Sequence, residues 1–246
     1  MSNNISALKK YIASQAISKC ASCSLRELCL PVGLDAHETE VLSDLIDHKY
    51  KIQRGEYLLH AGMRFKSLYA VRNGFFKSYI LDSEGRQQVT GFYMTGELLG
   101  LDAISAEIHT CDTVALEDSE VCEVPFERLE EISCSIPLLM HQFHKIMSRE
   151  IVQDHRVMVL LGNMKAEERI AAFLLNLSER FVKRGYSATS FILRMTREEI
   201  GSYLGLKLET VSRSFSKLQD EGMITINNKH VELHDIHRLT RKISSY

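Results

Sequence analysis

The sequence predicts an α+β chain: a β-roll of about eight short strands, then a long helix, then a C-terminal winged helix-turn-helix. Three observations carry this expectation. Between Lys49 and Pro125, Gly55, Gly62, Gly74, Gly85, Gly91, Gly96 and Gly100 punctuate short runs of strand composition, as turn residues do in a roll. After Pro137 no proline or glycine interrupts the chain until Gly162, and apolar residues recur there at alternating steps of four and three. From Thr196 to Leu233 a capping box, a glycine turn, an amphipathic stretch, a glycine stop and a hairpin pattern follow one another.

Composition sets the frame. A chain of 246 residues, 45% hydrophobic and 25% charged, has the size for two domains and the makeup of an ordinary globular protein. No apolar run approaches the roughly 20 residues that cross a bilayer, and the stretch after Lys9 and Lys10 is too short and polar for a signal peptide. The expected compartment is the cytoplasm, with no membrane partner. A reducing compartment disfavours structural disulfides for the six cysteines, and clustered thiols there point to metal or redox work, which gives the N-terminal three a ligand role. The net charge of −2 is uneven: from Leu160 onward fourteen Lys/Arg face ten Asp/Glu, while the rest of the chain is acidic. A mildly basic C-terminal part suits contact with DNA.

Residues 1–30 lack periodicity and end at Pro31, which suggests a mostly irregular arm carrying cysteines. From about Leu34 to Asp47 an amphipathic helix is expected, with Leu34, Val41, Leu42, Leu45 and Ile46 on its apolar face. The roll, within 31–134, takes strands from runs such as Ser67–Val71 and Phe75–Ile80, and Asp82–Gly85 is a turn between two strands. The long helix occupies 135–161. Met140, His144, Met147, Ile151, Asp154, Met158 and Leu161 form a coiled-coil seam on it, while Phe143, Ile146, Val157 and Leu160 form a second face toward the roll. A helix apolar on two faces has two partners, which predicts a homodimer. Asp154 stands where an apolar knob belongs, and its two copies would repel by several kcal/mol at an intermediate dielectric. That makes Met147, Ile151, Asp154 and Met158 the candidate dimer switch.

Residues 162–246 form the third part. A helix from about Lys165 to Arg184 presents Ile170, Phe173, Leu174 and Leu177. Thr196 and Glu199 then cap a helix over Arg197–Tyr203, Gly205 turns the chain, and a second helix runs from about Leu208 to Asp220 before Gly222. Ile224–Leu233 forms a hairpin with an Asn-Asn turn, the wing. In this motif the second helix meets base edges with its N-terminal residues, here Glu209, Thr210, Ser212 and Arg213. Arg213 suits guanine O6 and N7, and Glu209 the cytosine amino group. Thr196, Arg197, Lys217 and Lys229 are candidate phosphate contacts, while Val211, Phe215 and Leu218 face the core.

Cys20, Cys23 and Cys29 fall within ten residues, and clustered thiolates suit either an iron–sulfur cluster or a zinc ion. Chemistry alone leaves the fourth ligand open among Cys111, Cys122 and Cys134. None of the ten histidines joins a catalytic constellation, His141 and His144 included, so no enzyme is expected.

The order of roll, long helix and winged helix-turn-helix, with the spacing of Cys20, Cys23 and Cys29, Val-Cys-Glu-Val-Pro around Cys122 and Glu-Thr-Val-Ser-Arg at Glu209–Arg213, resembles the cyclic-AMP receptor protein superfamily. Within it the chain is similar to the fumarate and nitrate reduction (FNR) regulators. The resemblance implies a cyclic-nucleotide-binding-like jelly roll and an oxygen-responsive transcription regulator, able to activate or repress. It implies one [4Fe–4S] cluster per subunit on Cys20, Cys23, Cys29 and Cys122, convertible to [2Fe–2S] by oxygen, and dimer packing that the intact cluster favours. It further implies double-stranded DNA with palindromic TTGAT-like half-sites and RNA polymerase contacted through the turn Asp82–Arg86. Ser24 and Leu28 flank Cys23 and Cys29, where side chains control solvent access and polarity, so they are candidates for tuning such a cluster. An extra cysteine common in the family is replaced by Ala16 and is not a ligand there. Gly96–Gly100 resembles the nucleotide-pocket turn, but Thr110-Cys111 stand where nucleotide binders have Arg-Ser, which argues against cyclic AMP. A zinc-stabilised, oxygen-independent regulator of the same superfamily is the alternative.

Overall fold

The computed structural model describes residues 20–46 and 48–243, so the readings on Lys9, Lys10, Ala16 and Asp47 lie outside the described residues. The chain divides into two compact units, one running to Arg86 and again over Thr90–Ser148, the other made of Gln87–Val89 and the chain from Arg149.

In the first unit, helix α1 (Ala36–Leu45) opens at Asp35, whose carboxylate accepts from the Glu38 amide while Glu38 accepts from the Asp35 amide. It ends at Ile46, and the expected first residue Leu34 precedes the cap, buried in the core instead. The strands are β1 (Lys49–Ile52), β2 (Tyr57–Leu59), β3 (Ser67–Asn73), β4 (Phe75–Leu81), β5 (Gln87–Met94), β6 (Leu98–Leu99), β7 (Asp112–Ala115) and β8 (Ser119–Pro125). They build two sheets in the orders β1-β8-β3-β6 and β2-β7-β4-β5, with β8 antiparallel to both neighbours and β7 likewise. The turn after β4 falls at Asp82–Arg86, as the sequence suggests.

Strand alternation gives the first sheet two apolar faces. One face, with Val71, Leu99 and Val121, meets Leu58, Phe76 and Ala115 of the other sheet inside the roll. The opposite face, with Leu68, Ala70, Leu98 and Val124, is covered by Leu30, Leu34, Leu42, Leu45, Leu129, Leu139 and Phe143. Leu129 belongs to α2 (Phe126–Ser135), a helix the sequence reading placed inside the roll without recognising it. Its ten residues bury only Leu129 and Ser133, too short a pattern to stand out.

The long helix α3 (Pro137–Asn163) forms as expected, but its two halves have different surroundings. Met140, Phe143, Ile146 and Met147 pack against the core of the first unit. Beyond Ser148, Ile151, Met158 and Leu161 are 53%, 59% and 37% exposed in the single chain. No helix among the described residues is long and apolar enough to cross a membrane.

The second unit contains α4 (Ala166–Val182), which buries Ile170, Phe173, Leu174 and Leu177, then α5 (Arg197–Leu204) and α6 (Leu208–Asp220). A sheet in the order β10-β11-β9 joins β9 (Ser190–Ile192), β10 (Ile224–Asn227) and β11 (His230–Leu233), and α7 (Ile236–Ile243) follows. Strand β9 and helix α7 were not foreseen from the sequence. The wing turn is shifted by one residue from the expected Asn-Asn pair: Asn227 pairs with His230, leaving Asn228-Lys229 at the tip. Asn228 takes φ +56°, a conformation asparagine tolerates better than most residues.

Candidate nucleic-acid interface and cysteine site

The cysteine site is assembled by the arm and the middle strand of one sheet. Cys20–Ser22 form a single 3-10 turn, followed by tight turns through Gly33. The arm is tied to α1 through the Cys20 amide, which donates to Ser43 Oγ at 2.9 Å, and onward to the chain before α1 through Arg26 Nη2, which donates to Leu34 O at 2.6 Å. Leu28 lies over the turn at Gly96, where a Cβ would stand 2.9 Å from the Leu28 Cβ. Ser24 faces solvent. Cys122 sits on β8 opposite Lys49 and Ala70, and the alternation of β8 sends it to the same face as Val124, beneath the arm.

Burial pushes the Cys29 thiol up to about 12; the Leu30 amide opposes this, and Cys20, Cys122 and Cys23 add to it. Burial likewise pushes Cys122 up to about 11, with Lys49 opposing and Cys20 and Cys23 reinforcing. Cys20 is raised by burial, against the nearby Ser43 hydroxyl, with Cys23 raising it further. The four thiols therefore sense one another. The other two cysteines have different company: Cys111 stands beside Thr90, Thr110, Asp102 and Asp112, and Cys134 donates to Glu130 O on α2. Among the described residues no three histidine, cysteine or carboxylate groups converge closely enough to grip one metal ion.

At Thr110-Cys111, the pair that argues against a cyclic-AMP pocket, stands a carboxylate. Asp102 Oδ2 accepts from the Thr110 amide at 2.8 Å and the Cys111 amide at 3.3 Å, and Oδ1 lies 3.4 Å from His109 Nδ1. Burial pushes the Asp102 carboxyl up, but the hydrogen bonds from His109 and Thr110 outweigh it and hold it below the usual carboxylate range.

The helix-turn-helix is built by local chemistry. Thr196 Oγ1 accepts from the Glu199 amide at 3.1 Å, and the Thr196 amide donates to Glu199 Oε2 at 2.7 Å, closing the box that starts α5. Gly205 ends α5 at φ +62°, a region where other residues are strained. Gly201, a glycine inside a helix, escaped notice in the sequence; a Cβ there would stand 2.5 Å from Leu206 O, so its absence lets the turn fold back onto α5. Helix α6 buries Val211, Phe215 and Leu218 as expected, and Ser214 with them. Glu209 and Arg213 are exposed on its other side, with Thr210 and Ser212 half-buried beside them.

The expected phosphate contacts divide. Thr196 and Lys229 are exposed, Lys229 at the wing tip. The Arg197 guanidinium lies over the Phe215 ring, 4.6 Å from its centroid, and burial lowers its pKa. Lys217 pairs with Glu167 Oε1 at 2.8 Å. Lys217 is thus paired within the unit, whereas Arg197 meets the ring with its Nη1 buried and without a hydrogen-bond partner among the described residues.

Known proteins agree with this architecture. The cyclic nucleotide-binding domain family matches residues 49–133, and the Crp-like helix-turn-helix domain family matches residues 168–242. The transcriptional regulatory protein btr of Bordetella pertussis is 46% identical over 224 residues, covering 91% of this chain and 93% of its own. The fumarate and nitrate reduction regulatory protein of Escherichia coli is 45% identical over 214 residues, covering 87% and 86%. Among solved structures, FixK2 from Bradyrhizobium japonicum superposes with a TM-score of 0.74 at 29% identity, covering 80% of this chain and 98% of its own. With a roll, a long helix and a capped helix-turn-helix in that order, the chain belongs to the CRP/FNR family and is a transcription regulator rather than an enzyme.

Proposed function

We propose that this regulator responds to oxygen through an iron–sulfur cluster held by Cys20, Cys23, Cys29 and Cys122. The observation that carries the reading is the gathering of these four thiols, three from the arm and one from β8, while Cys111 and Cys134 keep other neighbours. The similarity to relatives named as fumarate and nitrate reduction regulatory proteins lends support. Four thiolates are the usual ligand set of a [4Fe–4S] cluster, which would supply the oxygen-reactive centre. The donors fit that group: they are soft thiols, partly shielded from solvent. The raised values of Cys20, Cys29 and Cys122 mean that protons leave when a cationic group binds. Leu28, wedged against the Gly96 turn, holds the arm in place and screens the site from water, whereas exposed Ser24 tunes its polarity from outside.

Cyclic AMP is not the effector. The Asp102 carboxylate holds the amides of Thr110 and Cys111, and it would repel a phosphate where nucleotide binders place an arginine.

The exposed strip Ile151, Asp154, Met158 and Leu161 pairs with its copy to form a homodimer. Two α6 helices then enter successive major grooves of a palindrome, and each places Glu209, Thr210, Ser212 and Arg213 against a TTGAT-like half-site. Arg213 bonds guanine and Glu209 the opposing cytosine, while Thr196, Lys229 and, after leaving their internal partners, Arg197 and Lys217 hold phosphates. Bound in the cytoplasm, the dimer meets RNA polymerase through the charged turn Asp82–Arg86.

An absorption spectrum with iron and sulfide assays on anaerobically purified protein, before and after air, tests the reading. About four irons per chain and bleaching in air are expected. C122S should abolish iron retention, whereas C111S and C134S should leave it intact. A colourless protein with about one zinc per chain and DNA binding indifferent to air would favour the structural-zinc alternative.

A further inference from the structure

Arg169, in the first turn of α4, makes contacts that DNA reading by α6 does not account for. Its guanidinium donates three hydrogen bonds of 2.9 Å, from Nη2 to Leu161 O, from Nε to Met164 O and from Nη1 to Leu204 O. Leu161 lies in the last turn of α3, Met164 just beyond it, and Leu204 is the final residue of α5. Carbonyl groups at helix C-termini lack partners within their helix and carry the negative end of its dipole. One cation here closes two such ends together.

The turn of the helix-turn-helix is part of the same junction. A Cβ on Gly205 would stand 3.2 Å from Leu161 Cδ2 and 3.5 Å from Arg169 Nη1, so the turn rests directly on the end of α3. Only three residues later α6 begins. Further up the helix, Asn176 Nδ2 donates to Gln153 Oε1 at 3.2 Å, and Gln153 Nε2 to the hydroxyl of buried Tyr203 on α5 at 3.4 Å. The exposed half of α3 is thus fastened to the reading head at two levels, the lower one through a single side chain.

We infer that Arg169 is a positioning residue for DNA recognition, fixing the angle between the exposed half of α3 and α6. In a dimer joined through α3, that angle sets the separation of the two recognition helices, so Arg169 determines which half-site spacing the protein accepts. This rests on the dimer reading above. The planar fork of arginine serves three carbonyls in fixed directions, which a lysine ammonium on a flexible stem does not do.

The test uses full-length protein prepared without oxygen. Affinities of wild type, R169K, R169Q and Q153A are measured for a TTGAT palindrome, for palindromes with one base pair added to or removed from the spacer, and for one isolated half-site, with a melting temperature for each. Wild type should prefer the native spacing. R169K and R169Q should each reduce that preference by about tenfold while half-site binding stays close to wild type. Q153A, which cuts the upper link to Asn176 and Tyr203 without touching the seam, should act in the same direction and covers the case that an Arg169 variant fails to fold. Spacing preference kept in all three variants would overturn the positioning role, as would equal losses on half-site and palindrome, which mark a direct contact or a general structural role. A wild type with no preference for the palindrome over a half-site would overturn the dimer reading and this inference with it.

Discussion

The two halves of the long helix carry one apolar pattern and meet two different fates. Up to Ser148, Met140 and Met147 of the expected seam pack against the first unit's own core beside Phe143 and Ile146. Beyond it, Ile151, Met158 and Leu161 stay exposed, joined by Val152 and Val159 at 46% and 51%. Periodicity of four and three shows that a stripe wants to leave water, and says nothing about which surface receives it. The first half takes its partner from its own chain. The second half bonds to α4 and α5 through Gln153, but its stripe of Ile151 and Met158 is left exposed by the described residues, which is why the dimer reading falls on it.

Substitutions in the two halves should therefore separate stability from association. The largest effect belongs to the first half. Phe143 is 5% exposed, and its ring centroid lies 6.1 Å from that of Phe126. F143A should cost about 3–5 kcal/mol of unfolding free energy, read by denaturant titration. M158A on the exposed half should leave monomer unfolding within about 0.5 kcal/mol while weakening association. Equal losses of stability from both would erase the distinction.

Next in size is Asp154. Two ionised copies about 4 Å apart at an effective dielectric near 20 repel by about 4 kcal/mol, and partial exposure reduces this. D154A should tighten association by roughly a hundredfold and give a dimer that persists in air, measured by sedimentation over a dilution series. A D154A chain that still dissociates in air would show that Asp154 lies off the seam.

How much of this was legible beforehand varied with how local the cause is. The capping box at Thr196, the left-handed Gly205 and the buried stripe of α6 are set within a few residues, and the sequence displays all three. The eight strands were legible as a glycine rhythm, but their pairing was not. Cys122 comes beneath the arm because β8 pairs with Lys49 of β1 and Ala70 of β3, a register of long-range partners that composition alone does not encode. For that reason chemistry left the fourth thiol open and only the family resemblance chose it. Helix α2 was missed because it buries only Leu129 and Ser133 and so shows no apolar period, and β9 because three residues cannot show one. Arg169 left no trace at all, since its three acceptors are backbone carbonyls brought together by the fold.

The smallest expected effect tests the same boundary through pH. Burial raises the Asp154 carboxyl above its ordinary value, with His155 opposing. An acid whose folded value is raised holds its proton more readily when folded, so its ionised form is a cost. That cost begins as pH rises past about 3.8, the ordinary value, and is complete above the raised one. In a dimer the facing copy adds to the shift, because each carboxylate disfavours ionisation of the other. Association of the wild type should therefore strengthen as pH falls from neutrality into the range just above 4, and D154N should flatten that part of the profile. A slope unchanged in D154N would place the titrating group elsewhere. A profile flat in both would mean that the two carboxyls do not meet, leaving the exposed half of α3 to pair through Ile151 and Met158 without an electrostatic switch.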